Sequence, residues 1–148
     1  MRIRDVMRTP VVTLTPDTTL RDTARLMARR TVGCVVVVSA EAVLGMVTDR
    51  DLAVRGLGAE RCASAPVGEV MTVPVQVVRP GDDVDAAYRT MARSAVRRLA
   101  VVDEGRLVGV VALDDLLMDV SRRLSELLGA VSWCVLAEPP PAGRASPG

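Results

Sequence analysis

The sequence predicts a mixed α/β (α+β) fold made of two β-α-β-β-α repeats packed with pseudo-twofold symmetry. Three observations predict it. Residues 6–52 align without a gap onto residues 70–116, so that position 48 answers to 112 and position 51 to 115. Each copy closes on a glycine-to-aspartate phrase, Gly45-Met46-Val47-Thr48-Asp49-Arg50-Asp51-Leu52 in one and Gly109-Val110-Val111-Ala112-Leu113-Asp114-Asp115-Leu116 in the other. Finally, half of a 148-residue chain is too small to bury a stable core alone, because a unit of about 60 residues buries only a modest share of its surface. Two copies of such a unit are expected to cover each other's apolar faces, and the cleft between them is the place to look for function.

Within each copy the elements follow in the same order. A short extended segment comes after a proline, Val11 to Leu14 after Pro10 and Val75 to Val78 after Pro74, and a second proline, Pro16 or Pro80, ends it. A helix follows, opened by Asp17 or Thr18 in the first copy and by Asp82 or Asp83 in the second, residue types that accept from first-turn amides. Its buried stripe is expected at Leu20, Ala24 and Met27, and at Val84, Tyr88 and Met91. Two valine-rich strands come next, Cys34 to Val38 with Val43 to Val47, and Leu99 to Val102 with Leu107 to Val111. Nearly continuous valine points to strands covered on both faces. A second helix starts near Asp49 in one copy and near Asp114 in the other.

The chain divides on this reading into 1–64 (first unit and linker), 65–128 (second unit) and a partly disordered tail, 129–148, rich in proline after Glu138. The second helix of the second copy runs past the repeat with Leu116, Leu117, Val120, Leu124, Leu127 and Leu128 on one side. An apolar stripe of this kind needs a partner surface, an intramolecular cover or a second subunit.

Composition excludes several classes of function. A net charge of +1 offers no field for a polyanion, so nucleic acid is not an expected partner. All 19 basic residues are Arg, and Lys, Asn, Phe and His are missing altogether, the signature of a GC-rich bacterial genome. Without histidine the usual triads and most zinc catalysis are unavailable. The carboxylate pairs Asp49/Asp51 and Asp114/Asp115 sit too close along a helix start to face each other as an acid/base dyad. The chain therefore reads as a non-enzyme. Cys34, Cys62 and Cys134 have neither disulfide nor metal-ligand spacing, which fits a reducing cytoplasm and no metal site. The amino terminus lacks a signal sequence, and no run is long enough to span a bilayer, so no membrane is expected.

The glycine-to-aspartate phrases suit binding instead. Glycine lets the chain turn closely from strand into helix, Thr48 and the first-turn amides can converge on an anion with Arg50 beside them, and Asp51 can accept from a polyol such as ribose. The same two residues also have a purely structural use, as a helix cap.

The doubled phrase, together with Val96-Arg97-Arg98-Leu99-Ala100-Val101-Val102-Asp103, resembles a tandem pair of cystathionine-beta-synthase (CBS) domains, a Bateman module, over residues 1 to about 128. The resemblance implies a stand-alone regulatory protein, commonly a homodimer. Its ligand would be an adenine compound, AMP, ADP, ATP or S-adenosylmethionine, with no cofactor required. It places the family's ribose-binding aspartate on Asp51 and Asp115, its phosphate-facing hydroxyl on Thr48, and its phosphate-contacting basic position on Arg97 or Arg98. Backbone groups of Val11, Val12 and Thr13, and of Val75, Gln76 and Val77, would hold the adenine edge.

The copies depart from each other. Ala112 replaces Thr48, and Gly33 and Cys34 stand where the second copy has Arg97 and Arg98; Ala112 and Asp114 are still expected, with Asp115, among the ligand-binding positions. A composite site joining Thr48 and Asp51 to Arg97 is the preferred expectation, against two weak independent sites or none. The competing function is an oligomerisation scaffold whose pocket has decayed; a thiol sensor at Cys134 beside Trp133 is a third. A sensor without an attached effector domain would signal through another, unknown protein.

Overall fold

The structure, a computed structural model, describes residues 1–40 and 42–137, with side chains up to Trp133. The Cys134 thiol and the proline-rich tail lie outside the described residues. The elements run β1 (Thr13–Leu14), α1 (Leu20–Arg30), β2 (Cys34–Ser39), β3 (Ala42–Thr48) and α2 (Asp49–Asp51), the last continuing as a π-helical turn (Leu52–Leu57). The second copy repeats them as β4 (Val77–Val78), α3 (Val84–Ser94), β5 (Arg98–Asp103), β6 (Arg106–Ala112) and α4 (Leu113–Ala137). Two three-stranded sheets result, ordered β1-β2-β3 and β4-β5-β6. In each the first pair is parallel and the second antiparallel, and the register slips at matching points, Val37/Val38 and Val101/Val102.

Valine runs fill the middle strands because both faces are covered. Val35 and Val37 join Leu14, Leu20 and Met27 in one core, while Val36, between them, points the other way. Leu99 and Val101 join Val84, Ala87 and Met91, while Ala100 points the other way. Val36, Met46 and Ala100 meet in a third core shared by the two sheets, with Val11, Val75 and Val110 at its edge. Alternation along one strand thus binds it to its own helix and to the opposite copy.

Each unit borrows the segment that precedes the other. Ile3 is fully buried in the core of the second unit, and its amide donates to the Asp82 carbonyl at 2.9 Å. Val67 and Val70, which follow the linker, are buried in the core of the first. The crossing segments end as matched bridges, Arg8 on Val110 and Thr72 on Met46.

This crossing explains the glycines of the repeated phrase. Gly45 and Gly109 are expected at the strand-to-helix turn, but they lie within β3 and β6, paired with Val37 and Val101. A Cβ at Gly45 would stand 2.5 Å from the Met71 sulfur, and one at Gly109 would stand 2.7 Å from the Met7 sulfur. The glycines make room for the visiting segment.

Two helix assignments shift by a residue or two. The cap of α1 is Thr19, whose hydroxyl accepts from the Asp22 amide, rather than Asp17 or Thr18; in α3 Asp83 caps, as expected. The buried stripe uses Thr23 and Ala87 at the i+3 position, leaving Ala24 exposed and Tyr88 only partly buried. Thr23 is tolerated at zero exposure because its hydroxyl donates to the Thr19 carbonyl at 2.8 Å. On α4, Leu116 turns into the core, whereas Leu117, Val120, Leu124, Leu127 and Leu128 are all exposed. The helix passes residue 128 without a break. Among the described residues no helix is long and apolar enough to cross a membrane.

Candidate functional site

The pseudo-twofold arrangement produces two matched clefts, each built from both copies. The first encloses about 420 Å³ and gathers Thr48, Arg50 and Asp51 from the end of β3 and the start of α2. Facing them are Thr72, Val75 and Gln76 from the segment before β4, and Arg97 and Arg98 at the start of β5. The second encloses about 230 Å³ and places Ala112, Asp114 and Asp115 opposite Arg8, Val11, Val12, Gly33, Cys34 and, again, Arg98. Thr13 and Val77 reach neither cleft: Thr13 borders a separate depression beside Arg106, and Val77 is exposed on β4.

At the first cleft the strand-to-helix junction is a capping box. The Asp51 carboxylate accepts from the Thr48 amide at 2.9 Å and from the Thr48 hydroxyl at 3.0 Å, both at Oδ2, and the Asp51 amide donates to that hydroxyl at 3.2 Å. The structural use of Thr48 and Asp51 is therefore real, and it occupies the hydroxyl proton that an anion would otherwise receive. It also fixes the carboxylate, so that Oδ1 turns toward Thr72, whose hydroxyl is 3.5 Å away, and toward Arg55, 3.7 Å away. The cleft sets the cations Arg50, Arg97 and Arg98 against the carboxylates Asp49 and Asp51. Arg97 is itself paired with Asp114 at 3.0 Å, an exposed contact that costs little to break. The Gln76 carbonyl accepts from Ala100 at 3.0 Å and the Val12 carbonyl from Val36 at 3.0 Å, so strand pairing already uses these two backbone acceptors.

The second cleft has a different interior. Arg8 stands at the position of Thr72 and grips Asp115 with two parallel bonds, Nε to Oδ2 at 2.7 Å and Nη2 to Oδ1. This pair raises the Arg8 pKa above its ordinary value, chiefly through the hydrogen bond to Asp115. Sequence reasoning missed both Arg8 and Thr72. The signal was available in the repeat itself, since the two positions correspond and each lies two residues before a proline.

Between the clefts, Arg98 uses the space left by Gly33, its Nη2 lying 3.6 Å from where a Cβ would stand. Cys34, the positional counterpart of Arg98, is partly buried beside it. Burial pushes the Cys34 thiol up to about 11, with Asp51 and Asp49 adding to the rise and Arg98 opposing it.

The CBS-domain family model matches residues 3–57 and 67–122, once per copy. The chain belongs to the CBS-domain family. A CBS domain-containing protein of Bacillus subtilis, YhcV, is 40% identical over 114 residues, which cover 77% of this chain and 81% of that protein. A CBS domain protein from Pyrobaculum aerophilum, solved in complex with AMP, superposes with a TM-score of 0.72 at 28% identity, covering 78% of this chain and 90% of that one. The CBS pair of protein MJ0100, solved with 5'-methylthioadenosine and S-adenosylmethionine, has a TM-score of 0.77 at 20% identity and covers 83% of this chain and 98% of its own, a likeness of fold. The chain is a tandem CBS pair, and the two clefts are the grooves between its paired domains.

Proposed function

We propose that this CBS pair is a non-catalytic sensor that binds an adenosine-containing ligand in the first cleft. The observation that carries the reading is the meeting, in one groove drawn from both copies, of a fixed carboxylate oxygen on Asp51 with the guanidinium groups of Arg50, Arg97 and Arg98. A ribose hydroxyl donates to Asp51 Oδ1, a phosphate draws Arg97 from Asp114 and lies among the arginines, and the base lies against Val75, Gln76 and Val96. The cavity, about 420 Å³, falls within the range of about 300–1,000 Å³ usual for small-molecule sites. AMP bound by the Pyrobaculum relative supports the same ligand class. AMP, ADP, ATP and S-adenosylmethionine are the candidates.

Thermal unfolding with these four compounds tests the proposal. A ligand at 100 times its dissociation constant adds about 2.7 kcal/mol, an easily read shift. Asp51→Ala removes a cap as well as a ligand group, so the quantity to compare is the ligand-induced shift rather than the melting point. A full shift in that variant refutes the assignment of ribose to Asp51.

The exposed stripe on α4 supports a homodimer. Leu117, Val120, Leu124, Leu127 and Val131 alternate steps of three and four, the spacing of a helix-helix seam. Such a dimer would pass a ligand-dependent change in domain angle to an effector protein in the cytoplasm. Light scattering on Leu124→Glu, expected to yield a monomer, checks the seam.

A further inference from the structure

We propose that Arg8 reserves the second cleft, occupying Asp115 so that each chain takes one ribosyl ligand, in the first cleft, and not two. The inference rests on the reading of the first cleft as an adenosine site and concerns what keeps its twin from acting likewise.

Arg8 and Thr72 occupy equivalent backbone positions. Arg8 is held on β6 by two bonds to Val110, its amide donating at 2.8 Å and its carbonyl accepting at 3.2 Å. Thr72 is held on β3 by the same two bonds to Met46, at 2.8 Å and 3.1 Å. The two residues therefore enter their clefts from the same place and differ only in side chain. Thr72 ends short of a strong bond to Asp51, 3.5 Å from Oδ1, and Arg55 stands 3.7 Å from the same oxygen, beyond hydrogen-bond distance, so Oδ1 can still accept from a ligand. Arg8 is long enough to reach Asp115 and bonds both of its oxygens. A bidentate guanidinium-carboxylate pair is the geometry in which both partners are most fully used. A ribose diol, a neutral donor, would have to displace a charged one already in place.

Two further differences act in the same direction. Ala112 supplies no hydroxyl where Thr48 does, so Asp115 has no second grip of the kind that fixes Asp51. The second cleft, at about 230 Å³, is also about half the size of the first and below the usual range for small-molecule sites.

Calorimetric titration of the full chain with AMP, ATP and S-adenosylmethionine measures the stoichiometry. The wild type is expected to bind one molecule per chain. Arg8→Thr, which copies Thr72 into the second cleft, is expected to bind a second molecule, more weakly than the first because Asp114 and Gly33 stand there in place of Arg50 and Arg97. The mirror change, Thr72→Arg, places the same guanidinium beside Asp51 and is expected to weaken binding about tenfold or more. Two molecules per wild-type chain, one per Arg8→Thr chain with its fold intact by circular dichroism, or unchanged affinity in Thr72→Arg each overturns the proposal. The mirror variant keeps the test decisive should Arg8→Thr fail to fold. Binding of none of the three by the wild type overturns the adenosine reading and this inference together, whereas two per wild-type chain overturns this inference alone.

Discussion

The two clefts share a backbone and differ in many of their side chains, four of them at positions that would meet a ligand. Thr72 faces Arg8, Thr48 faces Ala112, Arg50 faces Asp114 and Arg97 faces Gly33 across the pseudo-twofold axis. The cores differ in size at several equivalent positions, Val35 against Leu99 and Leu20 against Val84 among them, but these pairs stay apolar because both members are buried. Cleft residues meet solvent on one side and carry no such constraint. A duplicated unit of this kind holds most of its interior apolar while charge and polarity diverge in the grooves, so that one groove can be kept for a ligand while its twin is closed by the protein's own charges.

The largest effects are expected at the crossing segments. Ile3 and Val67 are equivalent, each fully buried in the unit that it does not precede in sequence. Ile3→Ala is expected to destabilise by about 2–5 kcal/mol, and Val67→Ala by less because fewer buried carbons are removed. Urea unfolding reads both. A loss below about 1 kcal/mol for Ile3→Ala would mean that the amino-terminal segment contributes no core.

A smaller effect separates the two glycines. Gly45→Ala and Gly109→Ala each force a methionine aside, and overpacking of this kind costs about 1–3 kcal/mol. The change at Gly45 is expected to be the costlier, since its Cβ would stand nearer to the sulfur, 2.5 Å against 2.7 Å. Double variants that shorten the methionine, Gly45→Ala with Met71→Ala, should recover part of the loss if the collision is the cause.

Smaller again is the cap. Thr48→Ala breaks the capping box at α2 and is expected to cost about 1 kcal/mol. The reverse change, Ala112→Thr, is expected to gain less than that, because Arg8 already holds Asp115, the carboxylate that would complete a second box. If Ala112→Thr stabilises as much as Thr48→Ala destabilises, the Arg8 pair is too weak to matter, and chemical denaturation of both variants decides it.

Much of this was legible in the sequence for identifiable reasons. The repeat spacing carried the order of elements, and alternating valines carried the doubly covered strands, since both depend on residue type at fixed intervals. The helix caps were legible in type but not always in position: Thr19 competes with Asp17 and Thr18 one or two residues earlier, and only the chain path after Pro16 selects it. Which copy a segment packs against was not legible. Ile3 reads as the start of the first unit and is buried in the second, because a gapless repeat is silent on whether its ends are exchanged. The grouping of Thr48 and Asp51 with Arg97 followed from the expectation of mixed clefts. Arg8 escaped notice because its significance lies in a partner distant in sequence, Asp115.

The smallest expected effect at neutral pH sets Cys34, at the junction of the clefts, against Cys62, exposed in the linker. Burial raises the Cys34 pKa from 9.0 to about 11, whereas hydrogen bonding to Ser64 lowers that of Cys62. Thiol reagents react with the thiolate, so Cys62 should be labelled first between pH 7 and 8.5 and Cys34 should stay protected until the chain unfolds. The sign of the stability change follows from the same rise. Below about pH 9 both folded and unfolded chains keep the Cys34 proton, and stability does not respond to it. From pH 9 toward 11 the unfolded chain releases that proton while the folded chain retains it, so the folded state loses stability as pH rises. Cys34→Ser, with its hydroxyl un-ionised throughout, should flatten that part of the curve. A slope equal to the wild type's would show that Cys34 is not the group responsible, and labelling of Cys34 as fast as Cys62 in the folded chain would show that the junction between the clefts is open to solvent.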